Sequence, residues 1–285
     1  MKHWIDGARP RTLPAAVVPV VVGTAVAFQD GGVVWWRAVA ALVVALAIQV
    51  GTNYANDYSD GVRGTDDARV GPVRLVASGL AAPAAVKRAA VASFAVAGVV
   101  GLALALAVDL RLLVVGAASI AAGWLYTGGP KPYGYAGMGE AFVFVFFGFV
   151  AVVGSAYVHA ERVPFVALLA AVPVGLLATS LLVVNNLRDI PGDTAAAKRT
   201  LAVRIGDEST RLLYVTCIAV AFVLVLPVAM MRPWALVTLL AVRFAVRPVR
   251  AVAQGESGAA LVPVLQDTGR LQLVFGLLLG LGIAL

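Results

Sequence analysis

The sequence contains Asn53-Tyr-Ala-Asn-Asp-Tyr-Ser-Asp60 and Asn185-Asn-Leu-Arg-Asp-Ile-Pro-Gly-Asp193, two polar stretches that each follow a long apolar run. Together with Asp66 and Asp67, they hold six of the fifteen carboxylate side chains of the chain. Carboxylates this close repel one another and raise each other's pKa unless a cation lies between them. The two clusters therefore predict bound divalent metal, and with it chemistry on a phosphorylated substrate.

The composition identifies the environment of the chain. Hydrophobic residues make up 61% of the 285 residues, charged residues only 13%, and the mean hydropathy is +0.93. These values lie far outside the range of soluble proteins. Apolar runs recur along the whole chain and leave no stretch for a separate globular domain. We therefore expect residues 1–285 to form a single transmembrane domain in the lipid bilayer.

The apolar runs predict an all-α integral membrane fold, a bundle of about nine transmembrane helices around a central cavity. Pro14 and Pro19 interrupt the first run, so we expect a spanning helix there rather than a cleavable signal. The predicted spans are residues 13–29, 36–55, 89–108, 110–127, 139–158, 163–184, 211–231, 233–251 and 270–285.

The distribution of Lys and Arg predicts the orientation in the membrane. With nine spans, eighteen of the twenty-two basic residues fall on the face that holds the N-terminus, and only Arg37, Arg111, Arg162 and Arg232 fall on the other. The positive-inside rule makes the richer face cytoplasmic. The same rule accounts for most of the net charge of +7, so we expect no nucleic-acid partner. The protein is predicted to lie in the cell membrane with both clusters cytoplasmic.

Spacing within the clusters indicates shared helix faces. Asn53, Asn56, Asp57 and Asp60 are spaced i, i+3, i+4 and i+7, which is one face of a continuing helix. In the second cluster Asn185, Asp189 and Asp193 are spaced by four, although Pro191 and Gly192 are expected to end or kink the helix before Asp193. An even number of spans separates the clusters, so both reach the same membrane face and can converge on one cavity.

Hard oxygen ligands and phosphate chemistry favour Mg²⁺, with Mn²⁺ as the alternative, because Mg²⁺ is typically held by one or two carboxylates together with substrate phosphate oxygens. Basic side chains near the clusters can steady a diphosphate leaving group. We assign this role to Arg63, Lys131, Lys198 and Arg199, and we attribute Arg69 and Arg74 to membrane topology. The simpler alternative is that acids and bases pair at a wet interface.

Several spaced motifs resemble the UbiA-type intramembrane prenyltransferases. Asn56-Asp57-x-x-Asp60 and Asp189-x-x-x-Asp193 are similar to the paired aspartate motifs of that family. Three further segments resemble its 1,4-dihydroxy-2-naphthoate prenyltransferase branch, the menaquinone-pathway enzymes: Trp4-Ile-x-x-Ala-Arg-Pro-Arg-Thr-Leu13, Tyr126-Thr-Gly-Gly-Pro-x-Pro-Tyr-Gly-Tyr135 with Gly139-Glu140, and Lys198-Arg-Thr-Leu201 after the second cluster. The resemblance covers nearly the whole chain.

The resemblance implies transfer of a polyprenyl chain from its diphosphate to 1,4-dihydroxy-2-naphthoate with loss of CO₂, which gives demethylmenaquinol and diphosphate. It implies catalytic and metal-binding roles for Asp57, Asp60, Asp189 and Asp193, with Asn53 and Asn185 as further metal ligands. Diphosphate is expected near Asn56, Arg63, Lys131, Lys198, Arg199 and Tyr126. The resemblance also suggests Arg9 and Arg11 for the acceptor carboxylate. Gly64 stands where the general pattern has a third aspartate, which leaves Asp66 and Asp67 open as ligands.

Two alternatives remain from the sequence. A cation-coupled transporter also carries polar residues within membrane helices, but its polar residues continue across the bilayer, whereas these gather at one face. A prenyltransferase that uses 4-hydroxybenzoate or another acceptor has the same metal and diphosphate requirements. Only the branch-like segments favour the naphthoate acceptor.

Overall fold

The computed structural model describes residues 2–65 and 74–285, and the described residues form helices joined by short loops, with no strand among them. Asp66, Asp67 and Arg69 lie outside the described residues. The α-helices are α1 (Lys2–Ala8), α2 (Pro14–Asp30), α3 (Trp35–Val62), α4 (Pro83–Ala107), α5 (Arg111–Leu125), α6 (Gly139–Ala160), α7 (Phe165–Ala195), α8 (Leu201–Val223), α9 (Val225–Met231), α10 (Val242–Ala253) and α11 (Leu261–Ala284).

Not all of these helices meet the length and hydropathy expected of a membrane span. In the described ranges six do so, or seven if the bent pair His3–Thr12 and Pro14–Asp30 counts as one span. Each of the nine predicted apolar segments contains helix, but the predicted count of nine spans is not confirmed. The segment Arg111–Leu125 is too short by this criterion, and residues 233–253 combine a 3₁₀ helix, Pro233–Ala241, with the arginine-rich α10. The chain is an all-helical integral membrane protein.

The helices pack as two groups that meet at α2. On one side α3 contacts α4 and α5, and on the other α7 packs against α6, α8 and α11. Helix α2 contacts α3, α6, α7 and α11 and therefore joins the two groups. The largest buried apolar cluster lies between α2, α7, α8 and α11. This arrangement brings the ends of α3 and α7, which carry the two polar clusters, towards the same cavity.

Glycine allows α6 and α7 to approach closely. The middle of α6, Phe144–Val153, has π-helical hydrogen bonding. A Cβ atom on Gly148 would lie 2.8 Å from the carbonyl oxygen of Ala171, and one on Gly175 would lie 2.9 Å from the carbonyl oxygen of Phe144. Helices in lipid associate through such close packing, because lipid tails provide no hydrophobic force between them. The contact fixes α7 beside the wall of the cavity.

Helix α7 differs from the sequence prediction at its end. We expected Pro191 and Gly192 to end or kink the helix before Asp193; they do not end it, because the helix continues to Ala195. A proline removes one backbone hydrogen bond, and here the loss falls in the last two turns, where few bonds follow. Asp193 therefore remains on α7, and its backbone oxygen accepts a hydrogen bond of 2.8 Å from the backbone N–H of Lys198.

Candidate functional site

A cavity of about 670 Å³ lies between the ends of α3 and α7. Its wall includes residues of the N-terminal segment, α3, the loop between α5 and α6, α6, α7 and the start of α11. Ten predicted site residues line it: Arg9, Arg11, Asn53, Asn56, Asp60, Tyr126, Asn185, Asp189, Asp193 and Lys198. The two clusters therefore share one cavity, as their position on the same membrane face predicts.

Asp60 lies at the centre of a charged network. Its Oδ1 atom is 3.2 Å from Nζ of Lys198, and its Oδ2 atom is 4.0 Å from Nη2 of Arg74. The hydroxyl group of Tyr135 donates a hydrogen bond to the same Oδ1 atom. Burial and the neighbouring Asp60 raise the pKa of Tyr135 above its usual range, so the phenol remains protonated and can donate. The network joins the end of α3 to the loop between α5 and α6 and to the segment after α7.

Tyr135 is a site residue whose role could not be assigned from its sequence motif. Its ring lies beneath two cations, with Nζ of Lys198 4.8 Å and Cζ of Arg63 5.3 Å from the ring centroid. A cation over an aromatic face is attracted by the ring quadrupole. The motif containing Tyr135 is visible in the sequence, but the pairing with Asp60 is set by the fold, 75 residues apart.

Arg74 also lies at the cavity, although we expected it to serve only membrane topology. It lines the cavity, and only 8% of its surface is exposed. The sequence around position 74 gave no signal for this placement, because an arginine beside a membrane span is also explained by topology alone. Its charge balances that of Asp60 across the cavity wall.

Asp189 is held by its neighbour in sequence. Nε and Nη2 of Arg188 donate to Oδ1 and Oδ2 of Asp189 at 2.7 and 2.8 Å, and Nη2 also donates to Oδ1 of Asn185 at 2.9 Å. Such a bidentate pair is among the stronger protein hydrogen-bond arrangements. Arg188 is 4% exposed and lines the cavity. The second cluster therefore presents a carboxylate and a buried guanidinium together.

Amide side chains of α3 are held in fixed orientations. Nδ2 of Asn53 donates to the carbonyl oxygen of Ala8 at 2.9 Å and to Oγ1 of Thr12 at 3.1 Å. Oδ1 of Asn56 accepts a hydrogen bond of 2.8 Å from Oγ1 of Thr127. Because the N–H donors of Asn53 contact the N-terminal segment, its Oδ1 atom is the part that remains for a ligand.

Asp57 is placed differently from the other acidic residues of its cluster. Its Oδ2 and Oδ1 atoms accept hydrogen bonds from the backbone N–H groups of Leu75 and Val76 at 2.8 and 3.0 Å, and the residue is not among those lining the cavity. Asp57 shares a helix face with Asn53 and Asp60, but the backbone at Leu75 and Val76 covers the edge of α3 on which it lies. The structure gives Asp57 an evident role in anchoring the chain at Leu75 and Val76.

Three predicted diphosphate ligands also lie outside the cavity lining. Arg63 is exposed and donates to the carbonyl oxygens of Thr127 and Gly129. Lys131 and Arg199 are exposed as well. Their predicted contact with diphosphate stays a prediction.

One wall of the cavity is apolar and aromatic. Tyr126 and Tyr133 pack edge to face at 5.5 Å, and Tyr133 stacks on Phe142 at 4.0 Å. Phe142 in turn stacks on Phe146 at 6.0 Å, and all four residues line the cavity. The aromatic series therefore runs from the polar mouth into the apolar interior along α6. Such a wall suits an apolar chain and excludes water from a reacting carbon.

The cavity contains some, but not all, of the oxygen ligands that a divalent metal needs. Its carboxylate and amide oxygens are the hard ligands that Mg²⁺ prefers. Within residues 2–65 and 74–285, however, no three His, Cys, Asp or Glu side chains lie close enough together to hold a metal by themselves. A metal at Asp60 or Asp189 would need amide, water or phosphate oxygens to complete its coordination, which is the usual arrangement for Mg²⁺ on a phosphate substrate.

Comparison with known proteins agrees with this architecture. Residues 16–260 match the model of the UbiA prenyltransferase family. The chain is 55% identical over 275 residues to the 1,4-dihydroxy-2-naphthoate octaprenyltransferase of Mycobacterium tuberculosis, covering 96% of this chain and 94% of the relative. It is 37% identical over 293 residues to the protein of the same name in Escherichia coli, covering 99% and 95% of the two chains.

Among solved structures, a UbiA homolog from Archaeoglobus fulgidus bound to GPP and Mg²⁺ has the same fold. The TM-score is 0.69 at 15% identity, and 99% of each chain is covered. The same homolog bound to Cd²⁺ gives a TM-score of 0.63 at 14% identity, with 99% of each chain covered. With the family match over most of its length and relatives above half identity, the chain belongs to the UbiA prenyltransferase family.

Proposed function

We propose that this protein is a prenyltransferase that moves a polyprenyl chain from its diphosphate to 1,4-dihydroxy-2-naphthoate, releasing diphosphate and CO₂ and forming demethylmenaquinol. The observation that carries the proposal is the single cavity in which acidic and basic groups at the mouth continue into an aromatic wall. The names of relatives at 55% and 37% identity support this acceptor over 4-hydroxybenzoate. We further propose one domain over residues 1–285, with the cavity open to the cytoplasm.

A divalent metal belongs to this proposal, and we assign it as Mg²⁺ with Mn²⁺ as the alternative. Asp60, Asp189 and Asp193 would hold it, with oxygens of Asn53 and Asn185. When bound, the metal supplies charge neutralisation that makes diphosphate a better leaving group. Asp57 remains part of the proposed metal set through its place in the first motif, although its oxygens face backbone N–H groups here.

The basic residues of the cavity would bind the diphosphate. Arg188 and Lys198 lie at the mouth and already face the carboxylates of Asp189 and Asp60. Phosphate oxygens accept from guanidinium and ammonium groups in the same way as carboxylates do. We assign Asn56 and Tyr126, which also line the cavity, to the same end of the substrate.

The reaction breaks the bond between the allylic carbon and the diphosphate oxygen, and the electron pair leaves with diphosphate. The allylic carbon becomes cation-like, and the ring carbon that bears the carboxylate attacks it. The bond to the carboxylate then breaks, CO₂ leaves, and its electron pair restores the aromatic ring, so no ring proton has to be removed. The faces of Tyr126 and Phe142 would shield the cation from water. Arg9 and Arg11 would orient the acceptor carboxylate before it is lost.

The test is a mass-spectrometric assay of the purified protein with Mg²⁺, a polyprenyl diphosphate, and either the naphthoate or 4-hydroxybenzoate. We expect demethylmenaquinol, detected as the quinone after oxidation by air during extraction, from the naphthoate only, and none in the presence of a chelator. Prenylated hydroxybenzoate would assign a different acceptor, and no product from folded protein would contradict the proposed enzyme class.

Variants of the carboxylates test the site. Asp60→Asn and Asp189→Asn should each reduce turnover at least ~100-fold, because several kcal/mol of charge stabilisation depend on the metal site. Asp207→Asn is the matched control, since Asp207 is exposed and pairs with Arg211 outside the cavity. Normal turnover in both cavity variants would contradict the metal site. Asp57→Asn distinguishes a metal ligand from a structural residue. Loss of turnover with an unchanged Tm indicates that Asp57 binds metal, and a lower Tm indicates that it holds the backbone at Leu75 and Val76.

A further inference from the structure

A second concavity lies on the outer surface of the bundle, between α10 and α11. Its volume is about 580 Å³. We call it the basic groove, and its polar lining consists of Arg243, Arg247, Arg250, Gln254, Glu256 and Asp267. It contains no residue assigned above to the diphosphate or the acceptor. It is therefore a separate candidate binding site.

The three arginines form a stripe on one helix face. Their spacing is i, i+4 and i+7, so the stripe extends ~10 Å along α10. Nη1 of Arg247 is 3.3 Å from Oδ2 of Asp267, while 77% of the arginine side chain remains exposed. Among the residues that the structure describes, no carboxylate lies within 4.0 Å of Arg243 or Arg250. Two guanidinium groups of the stripe are therefore available to an anion.

The surface beside this stripe is apolar. Val242 and Val246, on the same helix, are more than half exposed. Arginine side chains on a lipid-facing surface are unfavourable unless an anion or water reaches them. A ligand that places phosphate oxygens on the guanidinium groups and a hydrocarbon chain on the valines would satisfy both parts of the surface.

The position of the groove would allow a lipid headgroup at the membrane surface to reach it. The start of α11 and the 3₁₀ turn Gly258–Ala260 before it separate the groove from the large cavity: Ala259 and Leu265 line the cavity, whereas Ala260 and Pro263 line the groove. The groove therefore lies at the same end of the bundle as the cavity mouth. The charged residues at that end are expected at the membrane–water interface, where lipid headgroups lie, and basic pockets between membrane helices are suited to anionic headgroups.

We propose that the basic groove binds the phosphate of an anionic phospholipid. Arg243 and Arg250 contact the phosphate oxygens, Arg247 is held at the groove wall by Asp267, and one acyl chain lies along Val242 and Val246. The proposal is independent of the catalytic function. A defect in lipid binding and a defect in prenyl transfer are measured separately.

The test is native mass spectrometry of detergent-purified protein titrated with phosphatidylglycerol or phosphatidylcholine. We expect the wild type to retain phosphatidylglycerol at least fivefold better. Arg243→Gln/Arg250→Gln should lose this preference. Lys87→Gln/Arg88→Gln is the matched control, because it removes the same charge from exposed positions of α4 outside the groove and should keep the preference. Equal retention in the groove variant and the control would overturn the proposal.

Two further measurements distinguish the sources of phosphate and exclude a folding artefact. Inorganic diphosphate added in excess should leave bound phosphatidylglycerol in place, whereas its displacement from the groove would indicate a site for free phosphate. A photoreactive phosphatidylglycerol should label wild-type residues within 242–267, and labelling confined to other segments would overturn the assignment whether or not the variant folds.

Discussion

The bidentate pair of Arg188 and Asp189 gives a prediction whose magnitude follows from the geometry. Three hydrogen bonds of 2.7–2.9 Å connect the guanidinium group to Asp189 and Asn185. Removing one partner of a buried ion pair costs about 3–5 kcal/mol, because the other charge loses its counter-ion in a medium of low polarity. Asp189 lines the cavity, where water reaches it, so we expect the lower limit, ~3 kcal/mol, for Arg188→Gln.

For a protein of this size ~3 kcal/mol corresponds to a decrease in Tm of roughly 5–10 °C. The assay is thermal unfolding in detergent followed by tryptophan fluorescence. Arg162→Gln is the matched control: Nη2 of Arg162 is 3.0 Å from Asp30, but 60% of its side chain is exposed. Exposed ion pairs contribute about 0–1 kcal/mol, so this variant should unfold within ~2 °C of the wild type.

A double-mutant cycle isolates the pair. Arg188→Gln/Asp189→Asn removes both charges, so its loss of stability should be smaller than the sum of the two single losses by at least ~1.5 kcal/mol. Strictly additive losses, or an Arg188→Gln protein as stable as the Arg162→Gln control, would refute the inference that the buried guanidinium balances Asp189.

Three more predictions follow from individual contacts. Tyr135→Phe keeps the ring below its two cations but removes one charge-assisted hydrogen bond, and prenyl-transfer assays should show turnover ~10-fold lower with little change in Tm. Hydrogen bonds from Arg111 and Tyr157 lower the pKa of Asp109, so its stabilisation is present above the usual aspartate pKa and is lost on acidification. The difference in Tm between wild type and Asp109→Asn should therefore shrink from pH 6 to pH 3. Gly175→Ala should lower Tm because its Cβ meets backbone at 2.9 Å, whereas Gly98→Ala, with nothing within 4 Å, should not.

Much of the fold could be predicted from the sequence, because spanning helices have a strong local signal. The length and hydropathy of the apolar segments predicted helices at all nine of them. Because an even number of predicted spans separates the two polar clusters, the sequence also predicted that both clusters face one cavity. The number of spans could not be predicted from apolar runs alone. Residues 233–253 look like one span in sequence, yet they form a 3₁₀ helix followed by an amphipathic helix with three arginines on one face.

The site was predictable where a residue's role follows from its own helix, and not where it depends on a distant partner. Helical spacing placed Asn53, Asn56 and Asp60 on the cavity. The same spacing also included Asp57, because periodicity cannot show that the chain near Leu75 returns to cover that edge of the helix. Tyr135 and its bond to Asp60 depend equally on a long-range contact.

The charges that line the cavity explain how carboxylates and an anionic substrate can share it. Four aspartates, at positions 6, 60, 189 and 193, face five cations, Arg9, Arg11, Arg74, Arg188 and Lys198, so the lining carries a net charge of 5 − 4 = +1. A prenyl diphosphate brings about three negative charges near neutral pH. One divalent metal would raise the net charge of the lining to about +3, which balances the charge of the diphosphate. Without the metal, the lining residues leave about two negative charges of the diphosphate unbalanced. The ion pairs of Asp60 and Asp189 balance these carboxylates within the lining, and in the proposed reaction a divalent metal held by the same carboxylates would leave the guanidinium and ammonium groups to bind phosphate oxygens.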